Sequence, residues 1–335
     1  MKKSLIALLV MTVLTSCFSC KSFKIKVNLD NSAGKTVYLK SLENGAMKTI
    51  DSVVAKDNKA VFKVKQSDNN DALHIMINGW RRPLVLFADN QDVMITGDYQ
   101  KYNAISIKAS ESQEKLNQIM AEVDKMENEQ DIYYAVLDFA KQNIDKPVGT
   151  YVMYRYKWAF QLEDLTNLYA MIPENMQCGY KAEVEKYIEG LKKTQPGQHY
   201  IDFKQTDVNG NIFVLSDYIP KYEVTILDFW ASWCPDCRKV NPDLVNIYNQ
   251  FKDKGLNIVS VSLDTDAEKW KKAIADDNLT WPNHVSDLKG WNNEVAGMYM
   301  IAFIPQNLII DKNGMIIEKN LPIEKMVDLF SNLMK

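Results

Sequence analysis

Residues Val224 to Pro242 read VTILDFWASWCPDCRKVNP. Val224, Thr225, Ile226 and Leu227 form an apolar, β-prone run, and Cys234 and Cys237 follow at C-x-x-C spacing, just where a helical pattern begins. The spacing predicts a strand that delivers a dithiol onto a helix N-terminus. There the first backbone N–H groups lack intrahelical partners and sum to a partial positive charge, so a thiolate is stabilised and the thiol pKa falls. Cys234 is the expected nucleophile. Cys237, one turn on and expected to be more buried, is placed to attack a mixed disulfide on Cys234 and release the product. Pro235 suits a first helical turn because its missing N–H costs nothing there. Arg238 and Lys239 are read as adding positive charge beside the thiol, and Asp236 as pushing its pKa back up.

The stretch FWASWCPDCR, with Asp228 in LDFWA and Ile304-Pro305 in FIPQNLIID, resembles the thioredoxin superfamily. Among its branches it is similar to the TlpA and ResA-like envelope thiol-disulfide oxidoreductases, over residues 197–335. The resemblance implies a cis Pro305 facing the dithiol, an Ile304 backbone that pairs with substrate, and Asp228 as a buried acid that helps deprotonate Cys237. It departs from the family in two places. Pro235-Asp236 replaces the usual Gly-Pro or Glu-Pro, so redox poise does not carry over, and Val240 stands where ResA-like proteins often carry a glutamate. Trp233, before the nucleophile, is expected to shield the dithiol and offer apolar contact to a client, with plain core packing as the other reading.

The chain has 335 residues, a formal charge of −3 and a quarter of its residues charged, a balance that fits several globular domains and gives no basic footprint for nucleic acid. Met1 to Ser16 reads as a signal segment: Lys2 and Lys3, an apolar stretch from Leu5 to Val13 too short to span a bilayer, and a lipobox-like Leu14-Thr15-Ser16-Cys17. Cys17 is the expected lipidation site, with residues 17–22 as a tether; an ordinary signal peptide cut near Ser16 is the alternative. The protein is thus expected in the cell envelope, lipid-anchored and facing the periplasm, with Phe18 after the cysteine leaning toward the outer membrane. Of the other cysteines, Cys20 belongs to the tether and Cys178 reads as incidental; a Cys20 to Cys178 bridge is the alternative. No metal is expected, since His74, His199 and His284 sit at no ligand-like spacing, and no cofactor beyond the Cys234/Cys237 disulfide.

From 23 to 109 the apolar period is two: Phe23, Ile25, Val27 and Leu29, then Ala60, Phe62 and Val64, then Leu73, Ile75 and Ile77, later Ile105 and Ile107. With turn signals at Asn44-Gly45 and Asn78-Gly79, this predicts an all-β sandwich of short antiparallel strands. It resembles the N-terminal β-domain that precedes thioredoxin domains in envelope proteins of Bacteroidota. Trp80, Arg81 and Arg82 read as a turn with a packed Trp and solvated arginines. From 110 to 196 the period is helical, with stripes on Leu116, Ile119, Met120 and Val123, on Tyr133, Val136, Leu137 and Ala140, on Leu162, Leu165, Leu168 and Tyr169, and on Val184, Tyr187, Ile188 and Leu191. Breaks are expected near 128–130, 146–149 and 173–175. The aromatic run Tyr151, Tyr154, Tyr156, Trp158, Phe160 is read as core against the neighbouring domains, with a ligand or dimer surface as the alternative.

The expected whole is therefore a thioredoxin-like α/β domain (197–335) after a β-sandwich and a small helical module. The expected activity is exchange or reduction of disulfides in envelope proteins, fed by a membrane electron donor. Two other readings compete. A peroxiredoxin-like activity would need the pattern P-x-x-x-T-x-x-C, and Ala231 stands in place of its threonine. A binding lipoprotein with a vestigial thioredoxin fold would leave the intact dithiol and its matched Asp228 and Pro305 unexplained.

Overall fold

The computed structural model describes residues 21–43, 45–66 and 71–334. The signal segment, Cys17, Cys20 and Asn44 lie outside the described residues. Two compact units emerge. The first is built on residues up to Met126 with the short segments Lys146–Val148 and Asn175–Gly179; the second holds Glu127–Asp145, Gly149–Glu174 and everything from Tyr180.

The first unit contains β1 (Ser22–Asp30), β2 (Thr36–Glu43), β3 (Ala46–Val54), β4 (Lys59–Lys65), β5 (Leu73–Ile77), β6 (Leu84–Leu86), β7 (Val93–Asp98), β8 (Ser106–Lys108) and helix α1 (Glu111–Val123). The strands form two four-stranded sheets, ordered β4-β1-β7-β8 and β3-β2-β5-β6. Alternation in β1 is the cause: Phe23, Ile25, Val27 and Leu29 point inward and join Val37, Leu39, Phe62, Ile75, Ile77 and Ile95 in one core. Antiparallel pairing throughout does not hold, because β1 and β7 run parallel. Alternation marks which face is buried and is silent about which strand lies alongside. Trp80 is packed as expected: its indole donates to the Tyr99 carbonyl and its ring meets Tyr99 and Tyr102, while Arg82 lies over Tyr102.

The second unit carries α2 (Glu129–Gln142), α3 (Pro147–Arg155), α4 (Leu162–Met171) and α5 (Gly179–Lys192). α3 occupies the place where a break is expected at 146–149. Pro147 and Gly149 look like breakers, yet a proline in the first helical turn forfeits no hydrogen bond. Then come β9 (Lys204–Thr206), β10 (Ile212–Val214), β11 (Val224–Trp230), α6 (Pro235–Phe251), β12 (Leu256–Ser262), α7 (Ala267–Asp276), β13 (Asn283–Val285), α8 (Glu294–Met298), β14 (Gln306–Asp311), β15 (Ile316–Lys319) and α9 (Ile323–Leu333). The hairpin β9-β10 turns at Asn209-Gly210, where Gly210 takes φ +89°.

Five strands form the central sheet in the order β13-β12-β11-β14-β15; β11 is parallel to β12 and antiparallel to β14. Every residue of β12 and all of β11 but Asp228 are buried, the mark of a sheet covered on both faces. Fully burying each Ile, Leu or Phe of this layer contributes about 1.5–3 kcal/mol. The stretch after α7 supplies β13, which extends the sheet beside β12, and the short α8. β14 begins at Gln306, directly after the cis Ile304-Pro305 bond.

The segment that leads into this sheet also closes it. Gly197 and Tyr200 donate to Ile316 and Gly314, and Ile316 donates back to Gln198, so residues 197–200 lie along the outer edge of β15. At the opposite edge Val208 donates to His284, and Ser286 donates to Thr206, so the next stretch of the same segment lies along β13.

Candidate active site

The two cysteines sit where β11 gives way to α6, Cys234 at the end of the loop and Cys237 in the first turn of the helix, joined as a disulfide. α6 starts where the sequence predicts, with Pro235 in its first turn, and Cys234 is its N-cap: the Cys237 N–H donates to the Cys234 Sγ at 3.1 Å. An orphan donor of a helix N-terminus is thus aimed at the sulfur expected to carry negative charge. The helix runs on through Pro242 to Phe251. Cys237 is the more deeply buried of the pair, at 1% exposure against 4% for Cys234.

The Ile304-Pro305 peptide is cis, and the Ile304 carbonyl oxygen lies 3.8 Å from the Cys234 Sγ. Residues seventy positions apart in the chain thereby meet. Trp233 is half exposed, donates its indole N–H to the Leu263 carbonyl at 3.3 Å, and faces Trp291 with ring centroids 6.2 Å apart. The core reading of Trp233 is therefore set aside. Trp291 and Phe303 are also exposed, so the surface about the dithiol is rich in aromatic side chains.

Asp228 sits on β11, in register with Ser260 of β12 on one side and Asn307 of β14 on the other. Asp228 is the one residue of β11 that is only partly buried. Burial pushes its pKa up to about 7, against the Ser260 hydroxyl, which donates to Oδ2 at 3.0 Å and lowers it.

The expectation for Arg238 needs correction. Its guanidinium pairs with both carboxylate oxygens of Asp277, and that partner holds its pKa above the usual range. Asn241 donates to the same carboxylate at 2.6 Å. Arg238 is therefore a strut: its charge is matched, and its remaining reach goes to the Ser232 carbonyl at 3.3 Å. Ser232 is fixed from the other side by Asp264. Asp264, 1% exposed, accepts the Ser232 N–H at 2.9 Å, the Ser232 hydroxyl at 2.5 Å and the Ser262 hydroxyl at 2.7 Å. The two residues before Cys234 are thus held by Leu263 and Asp264 from the loop after β12 and by Arg238, itself anchored at the C-terminal end of α7. Asp264 and Asp277 gave no signal in the sequence beyond acids at a strand end and a helix end.

Comparison with known proteins agrees with this layout. Residues 196–319 match the AhpC/TSA family, and residues 23–116 match a domain of unknown function, DUF4369. A thiol-disulfide oxidoreductase ResA of Bacillus cereus is 30% identical over 128 residues, which cover 38% of this chain and 70% of the relative. Among solved structures, the thioredoxin domain of a thiol-disulfide oxidoreductase from Bacteroides vulgatus is 34% identical, covering 42% of this chain and 98% of that one with a TM-score of 0.39. A thiol-disulfide oxidoreductase from Bacteroides fragilis is 28% identical, covering 41% and 99% with a TM-score of 0.38.

Proposed function

Since this chain belongs to the ResA-like thiol-disulfide oxidoreductases, we propose that Cys234 and Cys237 are its redox-active pair and that it reduces disulfides in envelope proteins. The observation that carries this reading is the Cys234 sulfur, capped by the Cys237 N–H and set beside the Ile304 carbonyl on the cis-Pro loop. In the reduced protein the Cys234 thiolate attacks a client disulfide; one client sulfur leaves as thiolate and a mixed disulfide forms. Cys237 then gives its proton to the Asp228 carboxylate and attacks the Cys234 Sγ. The second client sulfur departs, two electrons have passed to the client, and the Cys234–Cys237 disulfide is left. Asp228, with its pKa raised to about 7, is matched to take and return a proton near neutrality. Trp233 offers apolar contact, and the Ile304 main chain offers hydrogen bonds indifferent to client sequence.

A reductase in an oxidising compartment needs a supply of electrons, and a membrane donor fills that role. Lipid attachment at Cys17 would hold the protein at that membrane, facing the periplasm, with the outer membrane favoured by Phe18. A Cys17→Ala protein should move from the membrane fraction to the soluble one.

The deciding measurement is the reduction potential of the pair, equilibrated in thiol buffers. A value near the thioredoxin end, about −270 mV, is expected; one near the oxidant end, about −120 mV, would make the protein a disulfide donor. The AhpC/TSA match prompts a second reading, peroxide reduction at Cys234. Rapid peroxide consumption by the reduced protein alone would favour it, and Ala231 at the threonine position predicts that none is seen.

A further inference from the structure

Behind Asp228 runs a chain of polar side chains that the scheme above does not use. The Trp281 indole N–H donates to the Ser260 hydroxyl oxygen at 3.0 Å, and the Ser260 hydroxyl donates to Asp228 Oδ2 at 3.0 Å. Trp281 and Ser260 are buried, at 2% and 0% exposure, so water does not compete for the contact between them, and the Ser260 contact to Asp228 is partly buried. An indole nitrogen can only donate. The Trp281 contact must therefore use a lone pair of the Ser260 oxygen, which leaves the hydroxyl hydrogen for the carboxylate. The indole is itself held in place, stacked on His284 at 5.4 Å and met edge-on by Tyr248 at 5.6 Å.

We propose that Trp281 and Ser260 are positioning residues of the redox site: a two-membered donor relay that keeps a hydrogen bond aimed at the ionised Asp228 carboxylate. The proposal rests on the reading of Asp228 as the proton acceptor for Cys237. Opposed by nothing, burial would hold the proton on Asp228 well above neutrality; the relay favours the charged form and keeps the group able to accept a proton at pH 7. The other groups around Asp228 leave this balance to the relay. On β13, His284 stands in register with Ser260, and burial depresses its pKa to about 4, so it is uncharged. Asn307 faces Asp228 from β14 and does not titrate. At the start of α6, Cys234 and Cys237 are joined, and further along it burial raises the Tyr248 hydroxyl above its ordinary value, so it stays protonated.

The test titrates Asp228 in the oxidised full-length protein by carboxyl carbon NMR, with the signal assigned by its loss in Asp228→Asn. Removing a hydrogen bond to a charged group should raise the midpoint by about one to two pH units in Ser260→Ala. Ser260→Thr, which keeps the hydroxyl, should restore it. Trp281→Phe should shift it the same way by less, and should add nothing in the Ser260→Ala background. A midpoint unmoved in folded Ser260→Ala overturns the relay. An unmoved midpoint in Trp281→Phe, or shifts that simply add in the double variant, removes Trp281 from it.

A second readout uses the reduced protein and insulin disulfides as the probe. Ser260→Ala should lose about tenfold or more in rate at pH 7 and recover toward pH 9, whereas a merely structural defect would lower the rate equally at both. If wild type reduces no disulfide at any pH, the functional reading fails while the titration still decides the relay. If wild type is active and the profile of Ser260→Ala is unshifted, the relay fails alone.

Discussion

The two units treat buried polarity differently. In the β-unit, the buried Gln113 and Ser110 serve chiefly the main chain: Gln113 accepts the Phe87 N–H at 2.9 Å and donates to Asn117 at 3.0 Å, and Ser110 donates to the Phe87 carbonyl at 2.6 Å. In the thioredoxin-like unit they serve one another, as in Trp281 to Ser260 to Asp228, Ser262 and Ser232 to Asp264, and Asn283 to Asn257 to Thr225. A side chain that satisfies backbone fixes a loop. A side chain that satisfies another side chain in a dry interior fixes a charge or a proton, and such networks are costly when incomplete. The difference separates a scaffold from a place where chemistry is held ready.

Five substitutions press on that contrast. The largest effect should come from Cys234→Ala, which should abolish disulfide reduction, by about a thousandfold or more, in an insulin reduction assay, while Cys237→Ala accumulates mixed disulfides visible on non-reducing gels. Residual turnover in Cys234→Ala would move the chemistry elsewhere.

Next is Asp228→Asn. The folded-state pKa of Asp228 is raised to about 7, above an unfolded value of about 3.9, so its favourable contribution is complete below pH 4 and is lost as pH climbs through 7. The amide has no such loss. Urea unfolding should therefore find Asp228→Asn more stable than wild type at pH 8, by up to about 4 kcal/mol, with the gain disappearing at pH 4. A difference independent of pH would show that the carboxyl is not kept from water.

Asp264→Ala comes third. It strips acceptors from Ser232 and Ser262 and should cost about 2–3 kcal/mol in stability together with a marked loss of reductase rate, because the loop before Cys234 is released. The smallest effect belongs to Gln113→Ala in the β-unit, about 1 kcal/mol, with the reductase rate unchanged. Equal damage to activity from both would erase the distinction.

What the sequence shows of the fold and the site follows the same division. Local patterns carried the strand from Val224, the helix from Pro235, the alternation of β1 and the two cysteines, because periodicity and caps act within a few residues. Asp228 and the cis Ile304-Pro305 came through resemblance to a family. The groups that hold the site escaped notice: Asp264, Asp277, Ser260, Trp281 and Trp291 come to it from other elements, and their closeness depends on strand order. Arg238 was misjudged for that reason, its partner Asp277 lying 39 positions away. The parallel pairing of β1 with β7 and the added strand β13 were likewise set by neighbours that no local pattern names.

The covering of both sheet edges by residues 197–208 bears on how the protein behaves in solution and in the hands of an experimenter. An uncovered edge is a template for adding strands from other molecules, and such growth ends in aggregates. If the chain acts as the proposed reductase, partly unfolded clients full of extended chain would find the borders of its sheet already engaged by residues 197–208. On the proposed function, main-chain pairing would fall to the Ile304 loop, whose carbonyl lies 3.8 Å from the Cys234 Sγ. A fragment trimmed to begin at Asn209 would bare both borders at once and should precipitate; one begun at Pro196 should stay in solution.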